Sequence, residues 1–221
     1  MIDDRPGDDL PADQRRRARM VRDQLGDCPD PRVVAAMAEL PRHWFVPAEI
    51  AAHAYDDCAL AIGAEQTISQ PRVVASMLAA LHLAPGMTVL DVGAGSGYAA
   101  TLIARLIAPG AVVAVERQKA LVPATTQLLA RIAPQVRLVH GDGLAGYAPG
   151  APYDAVHVAC ACEVLPAALI AQLRAGARMV LPLGPHGGTQ RLTALTCTTS
   201  GVEHDELGAV LFVPALPGTA E

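Results

Sequence analysis

Val89-Leu90-Asp91-Val92-Gly93-Ala94-Gly95-Ser96-Gly97-Tyr98 is the stretch on which the fold is decided. Thr88 to Val92 is an apolar run of strand length, and Tyr98 to Ile107 is helix-forming. Glycines at 93, 95 and 97 allow the tight turn between them and let the backbone approach a ligand closely. In an open α/β sheet, ligands lie beyond the carboxyl ends of the strands, at turns of this kind. A dinucleotide site favours G-x-G-x-x-G, with a pyrophosphate on the helix N-terminus. The spacing here is G-x-G-x-G, and an acidic residue, Asp91, precedes it. A carboxylate at the strand end suits a cationic ligand better than a phosphate.

Working outward, the pattern repeats. Ala111 to Glu116 reads as a strand, Lys119 to Ile132 as a helix, and Val136 to His140 as a strand. Tyr153 to Ala159 is a strand, Pro166 to Arg174 a helix, and Arg178 to Leu183 a strand. Arg191 to Thr198 and Ala209 to Val213 are expected to close the sheet as an antiparallel pair. Strands apolar on both faces, alternating with helices, imply a parallel sheet covered by helices: an α/β, doubly wound, Rossmann-like fold of about seven strands. Upstream, Leu10 to Leu25 reads as a helix with Arg15, Arg16, Arg17, Arg19 and Arg22 outward. Pro31 to Glu39 and Gln70 to Leu83 are two more helices. Tyr55 to Pro71 reads as a loop, and Trp44 and Phe45 as core anchors. Residues 1–9 are expected to be a disordered leader. Residues 10–221 are then one domain, with an N-terminal helical and substrate-loop region to 84 and a cofactor-binding sheet over 85–216.

Acidic residues recur at the strand ends. Glu116 closes the second strand of the sheet and can accept from both hydroxyls of a ribose. Gly141-Asp142-Gly143 follows the third, where Asp142 can accept from an adenine amino group. Alone, G-D-G is only a turn. Three loops on one sheet edge, carrying Asp91, Glu116 and Asp142, point to S-adenosylmethionine, whose sulfonium and amino groups are cationic. A ligand-free βα turn and a nicotinamide oxidoreductase are the alternatives that this pattern disfavours.

Composition narrows the partners. The chain has 221 residues, 52% hydrophobic and 18% charged, so a packed globule is expected. A net charge of −5 with 3% aromatics argues against broad binding to nucleic acid. No apolar run is long enough for a membrane span, and the acidic start, Met1 to Leu10, is unlike a secretory signal. Five cysteines, with no framework spacing, suit a reducing compartment, so a cytoplasmic monomer is expected. Cys160 and Cys162 lack further ligands at metal-site spacing and read as wall residues, so no metal is expected.

Several blocks resemble the protein-L-isoaspartate (D-aspartate) O-methyltransferase family. These are AMAELPRHWFVP (36–47), AYDDCALAIGAEQTISQPRVVASML (54–78), VLDVGAGSGYAA (89–100), VVAVER (112–117), HGDG (140–143), APYDAVHVACACEVLPAALIAQL (151–173), LPLGPHGGTQRL and LFVPAL. QTISQP is far more specific to the family than the glycine turn, and the likeness spans about residues 14 to 216. The resemblance implies a class I methyltransferase fold acting on isoaspartyl proteins or peptides. It implies donor binding through Thr67, Ile68, Ser69, Gly93, Gly95, Glu116, Asp142 and Gly143, with Ser69 the residue closest to catalysis; Asp91, Gly97 and Arg117, in the same loops, are further cofactor-binding candidates.

A carboxylate is already ionised at neutral pH, so its methylation needs placement and exclusion of water more than a strong base. Ser69 is expected as the N-cap of the following helix, with Pro71 in its first turn. Thr67, Ser69 and the free amides there would then hold the acceptor carboxylate. Two departures bear on specificity: Glu65 stands where many relatives have glycine, and Leu211 where they often have arginine. They leave open an enzyme that methylates an aspartate of a biosynthetic peptide to form an aspartimide. A non-catalytic cofactor-binding module is the other open reading.

Overall fold

The computed structural model describes residues 8–198 and 200–221. Its centre is a seven-stranded sheet: β3 (Thr88–Val92), β4 (Ala111–Glu116), β5 (Val136–His140), β6 (Tyr153–Val158), β7 (Leu173–Leu183), β8 (Gln190–Thr198) and β9 (Gly201–Val210). The spatial order is β5-β4-β3-β6-β7-β8-β9. β3 to β7 are parallel, and β8 and β9 are antiparallel additions. The chain runs outward from β3 through β4 to β5, then returns to place β6 against the other side of β3. This reversal makes the carboxyl end of β3 a switch point, where a crevice must open.

Alternation along the strands builds two cores. Val89, Val112, Ala114, Ala155 and Val180 face one side, packing under α1 (Pro11–Gln24), α2 (Pro31–Glu39), α3 (Pro71–Ala80), α4 (Tyr98–Leu106) and α5 (Val122–Ile132). Leu90, Val92, Val113, Val156 and Met179 face the other, with α6 (Ala167–Ile170) and its Leu169. Phe45 is fully buried and Trp44 packs on the first core, as expected of both.

Four details differ from the sequence expectation. The segment read as a loop before α3 holds a hairpin, β1 (Leu60–Gly63) and β2 (Gln66–Ile68). Its turn has no glycine at either central position; Ala64 and Glu65 take left-handed φ values of 49° and 58°. The signal of a primed turn was therefore absent. The helix expected from Pro166 is only α6, because Gln172 O accepts from Tyr153 N at 2.8 Å and draws the chain into β7. The last strand is Gly201–Val210, a charged edge whose side chains are almost all exposed, so apolar alternation could not mark it. Residues 211–216 instead cross the top of the sheet, where Ala161 N donates to Val213 O and Ala215 N to Ala161 O, both at 2.8 Å.

The fourth is Arg17, which is buried rather than outward. Its Nε donates to Ala38 O at 2.7 Å, and its two terminal nitrogens grip the Asp9 carboxylate at 2.9 and 2.8 Å. The expected leader thus lies largely outside the described residues, but Asp9, at its end, holds α1 to α2.

The hydrogen bonds from Arg17 hold the Asp9 carboxyl below the ordinary value of 3.8. A lowered folded value means the pair stabilises the fold above the unfolded pKa and ceases to do so as pH falls through the lowered one. Asp9→Asn should therefore lower stability at neutral pH and flatten the stability profile below pH 3.8, read by urea unfolding across pH. Gly97, at φ +86°, opens α4, and a Cβ there would lie 3.0 Å from Leu129 Cδ2. Gly97→Ala is expected to cost about 1–3 kcal/mol of unfolding free energy, from left-handed strain and overpacking.

Candidate active site

The crevice at the switch point is a cleft with about 870 Å³ of empty space, counting its open mouth. Its floor is the glycine turn. Gly93 N and Ala94 N both donate to Val115 O, at 2.9 and 3.1 Å. Gly95 N donates to Glu116 Oε2 at 2.8 Å, and the other carboxylate oxygen accepts from Gln118 N at 2.7 Å. Thr125 Oγ1 donates to Gly95 O at 2.8 Å from α5. The turn is thus stapled to the end of β4, and Glu116 is nearly fully buried while still lining the cleft.

Most of the expected residues meet here. Gly93 and Gly95 line the floor; Glu116 and Arg117 come from the end of β4, and Gly143 from the turn after β5. Thr67, Ile68 and Ser69 line the opposite wall. Asp91, Gly97 and Asp142 stand behind the lining. Gly97 sets the entry to α4. Asp142 caps the turn after β5, accepting from Leu144 N at 2.9 Å, and holds the C-terminal segment through Gly218 N at 2.8 Å.

Ser69 differs from expectation in one respect. The N-cap of α3 is Gln70, without a side-chain cap bond, and the helix begins at Pro71. Ser69 therefore does not cap the helix. Half-buried, its hydroxyl makes no hydrogen bond among the described residues, while its carbonyl accepts from Arg42 Nη2 at 2.9 Å.

The cleft also gains residues that no motif marked. His157 lines it from β6, one strand over and in register with Asp91. Its Nδ1 lies 2.7 Å from Asp91 Oδ1, both groups fully buried. A carboxylate only accepts, so Nδ1 carries the proton of this hydrogen bond. That Nε2 and Asp91 Oδ2 both lack a partner. A buried carboxylate oxygen without a donor suits a cationic ligand. Tyr98 lines the wall with an unpartnered hydroxyl whose pKa burial pushes up to about 12. Cys160 lines the cleft and Cys162 lies behind it; burial raises both thiols, Cys162 to about 11, so neither is a thiolate at neutral pH. Among the described residues, no cluster could hold a metal ion. Val213, Pro214 and Leu216 roof the cleft from the crossing segment, which sequence had assigned partly to a strand.

These features fit S-adenosylmethionine. The Glu116 carboxylate lies at the floor with Asp91 and Asp142 behind it, and the walls combine apolar side chains such as Val74 and Met77 with the hydroxyls of Thr67, Ser69 and Tyr98.

The profile of the protein-L-isoaspartate(D-aspartate) O-methyltransferase family matches residues 17–220. The chain is 47% identical over 207 residues to the protein-L-isoaspartate O-methyltransferase of Methylorubrum populi, covering 91% of this chain and 95% of that one. It is 43% identical over 206 residues to the enzyme of that name from Methanoculleus marisnigri, covering 92% of each. Among solved structures, a protein-L-isoaspartate O-methyltransferase superposes with a TM-score of 0.82 at 24% identity, over 90% of this chain and 66% of that one. A Plasmodium falciparum chain in complex with S-adenosyl-L-homocysteine superposes with a TM-score of 0.79 at 24% identity, over 92% of this chain and 98% of that one. The fold is that of these methyltransferases, and the chain belongs to the protein-L-isoaspartate(D-aspartate) O-methyltransferase family.

Proposed function

We infer that this protein uses S-adenosylmethionine to methylate the α-carboxylate of L-isoaspartyl, and of D-aspartyl, residues in damaged proteins and peptides. One observation carries the reading: a single cleft is lined both by the glycine turn with Glu116 and by Thr67-Ile68-Ser69 at the start of α3. A donor floor and an acceptor wall thus face one space.

When bound, the donor supplies a methyl group activated by the positive sulfur. Gly93, Gly95 and Glu116 would seat its ribose side, Gly143 and Asp142 its adenine, and the Asp91–His157 pair its amino group. Thr67 and Ser69, with the free amides that open α3, would orient the acceptor carboxylate. An acceptor oxygen forms the new bond to the methyl carbon while the carbon–sulfur bonding pair stays on sulfur. No proton moves, so no base is needed; alignment and dryness of the walls do the catalysis. The ester then loses methanol as the next backbone nitrogen attacks it. The resulting succinimide hydrolyses in part to ordinary aspartate, which is the repair. Five free cysteines, Cys162 buried among them, support a reducing, cytoplasmic setting. No helix of the described residues is long and apolar enough to cross a membrane.

Methyl transfer to matched peptides differing only in Asp or isoAsp is the deciding assay. Label should enter the isoAsp peptide alone; preference for the Asp peptide would favour the aspartimide-forming reading raised by Glu65 and Leu211. Ser69→Ala should lower turnover on the isoAsp peptide about 100-fold. Because Gln70 and not Ser69 is the cap, it should change unfolding free energy by less than about 0.5 kcal/mol. Glu116→Gln places an NH2 against a backbone N–H. It should weaken S-adenosylhomocysteine binding at least tenfold by calorimetry and cost about 1–3 kcal/mol of stability.

A further inference from the structure

Arg42 sits in the short turn Arg42–Phe45 after α2 and is fully buried. Its polar partners are two backbone carbonyls: Nε donates to Ala54 O at 2.7 Å and Nη2 to Ser69 O at 2.9 Å. Its Cζ lies 5.0 Å from the centroid of the Tyr98 ring, and Nη1 has no partner. The contrast with Arg17 is direct. Both are buried, but Arg17 is neutralised by the Asp9 carboxylate, whereas Arg42 has no carboxylate within ion-pair distance among the described residues. Burial pulls its pKa below the ordinary arginine value, with Tyr98 opposing. A guanidinium keeps its proton even so. Among the described residues, Arg42 is thus a buried positive charge without a carboxylate partner, and it touches two residues of the cleft wall, Ser69 and Tyr98, from behind.

We propose that Arg42 is a positioning and charge-setting residue of the acceptor wall: it fixes the Ser69 backbone and makes that wall positive, favouring a carboxylate acceptor and disfavouring the cationic donor relative to its neutral product. The inference rests on the methyltransferase reading. S-adenosylmethionine and S-adenosylhomocysteine differ by a methyl group and one positive charge, so a buried cation discriminates between them. Two unit charges about 10 Å apart, at an effective dielectric of about 20, shift that preference roughly tenfold. The same field holds the acceptor in its reactive, ionised form.

The test compares Arg42→Gln, which removes the charge but keeps an N–H donor, with Arg42→Lys, which keeps the charge and reaches fewer carbonyls. Affinities for S-adenosylmethionine and S-adenosylhomocysteine are measured by calorimetry without acceptor, and kcat and KM with the isoAsp peptide. Arg42→Gln should raise donor affinity relative to product affinity about tenfold and raise the peptide KM at least tenfold. Arg42→Lys should keep both within about twofold while kcat falls, as Ser69 loosens. If both affinities fall together in Arg42→Gln with their ratio unchanged, the residue is structural only and the proposal is overturned. Should Arg42→Gln not fold, Arg42→Lys decides alone: a peptide KM raised tenfold with kcat intact would contradict a role carried by charge. The affinity ratio needs no methyl acceptor. A wild-type protein inactive on isoAsp peptides would therefore defeat the functional reading without touching this measurement.

Discussion

The site depends on how the glycine turn is fastened to the neighbouring strand. After β3 the chain must reverse within a few residues, leaving several amides without helix or sheet partners. Val115 O takes two of them, from Gly93 and Ala94, and the Glu116 carboxylate takes a third, from Gly95. Because β3 and β4 are parallel and in register, Asp91 beside Ala114 and Val92 beside Val115, these acceptors arrive directly under the turn. Glu116 therefore has two tasks. It holds the floor of the cleft, and with its remaining lone pairs it can accept from a ribose. That double use explains why an acidic side chain tolerates near-complete burial here: two backbone N–H donors stand in for water.

The parallel core was legible because its signal is redundant. β3, β4 and β5 are largely apolar runs that end at or run into Gly, Asp or Glu, β6 is an apolar run, and the two helices between β3 and β5 are long enough to show their period. Every strand from Thr88 to Val158 fell where the pattern put it, within a residue. Outside the core, redundancy disappears. The β1–β2 hairpin turns through Ala64 and Glu65, residues that rarely adopt left-handed φ, so only the folded chain reveals it. β9 is a polar edge strand, held by its ladder to β8 and not by an apolar face. Arg17 and Arg42 look in sequence like any surface arginines, since burial of a charge leaves no trace in periodicity.

The same distinction holds within the site. Glycines and strand-end acids are local signals and were readable. Ser69 could be placed at the cleft through the family likeness, but not its freedom from capping, which depends on where α3 begins. His157 was readable only as a strand residue. Its meeting with Asp91 needs β6 to lie against β3, a contact between residues 66 apart in the chain that follows from the switch in strand order. Arg42 is further removed still, reaching Ser69 across 27 residues through two short turns.

Charge placement ties these residues to one another. Methylating a carboxylate joins a cation to an anion and leaves two neutral products, so a site that merely neutralised both partners would bind them and gain nothing at the transition state. This chain separates the signs. Glu116 lines the floor with Asp91 and Asp142 behind it, and their oxygens are taken by backbone amides and His157, save Asp91 Oδ2. On the proposed reading, that occupancy would temper their charge, so that a sulfonium would be accommodated without being tightly paired. On the wall proposed for the acceptor, Arg42 donates to the Ser69 carbonyl and stands over the Tyr98 ring without itself lining the cleft. Glu65, exposed on the hairpin turn that leads into Ser69, adds a negative charge one residue before the first of the hairpin's cleft-lining residues, Gln66. Exposed leucine at position 211 leaves the crossing segment without a cation where relatives often carry one. Arg117 lines the cleft beside Glu116, and on the proposed reading Arg42 is the positive charge behind the acceptor wall that would favour a carboxylate there. On the same reading, the peptide residues flanking that carboxylate would meet the apolar roof of Val213, Pro214 and Leu216.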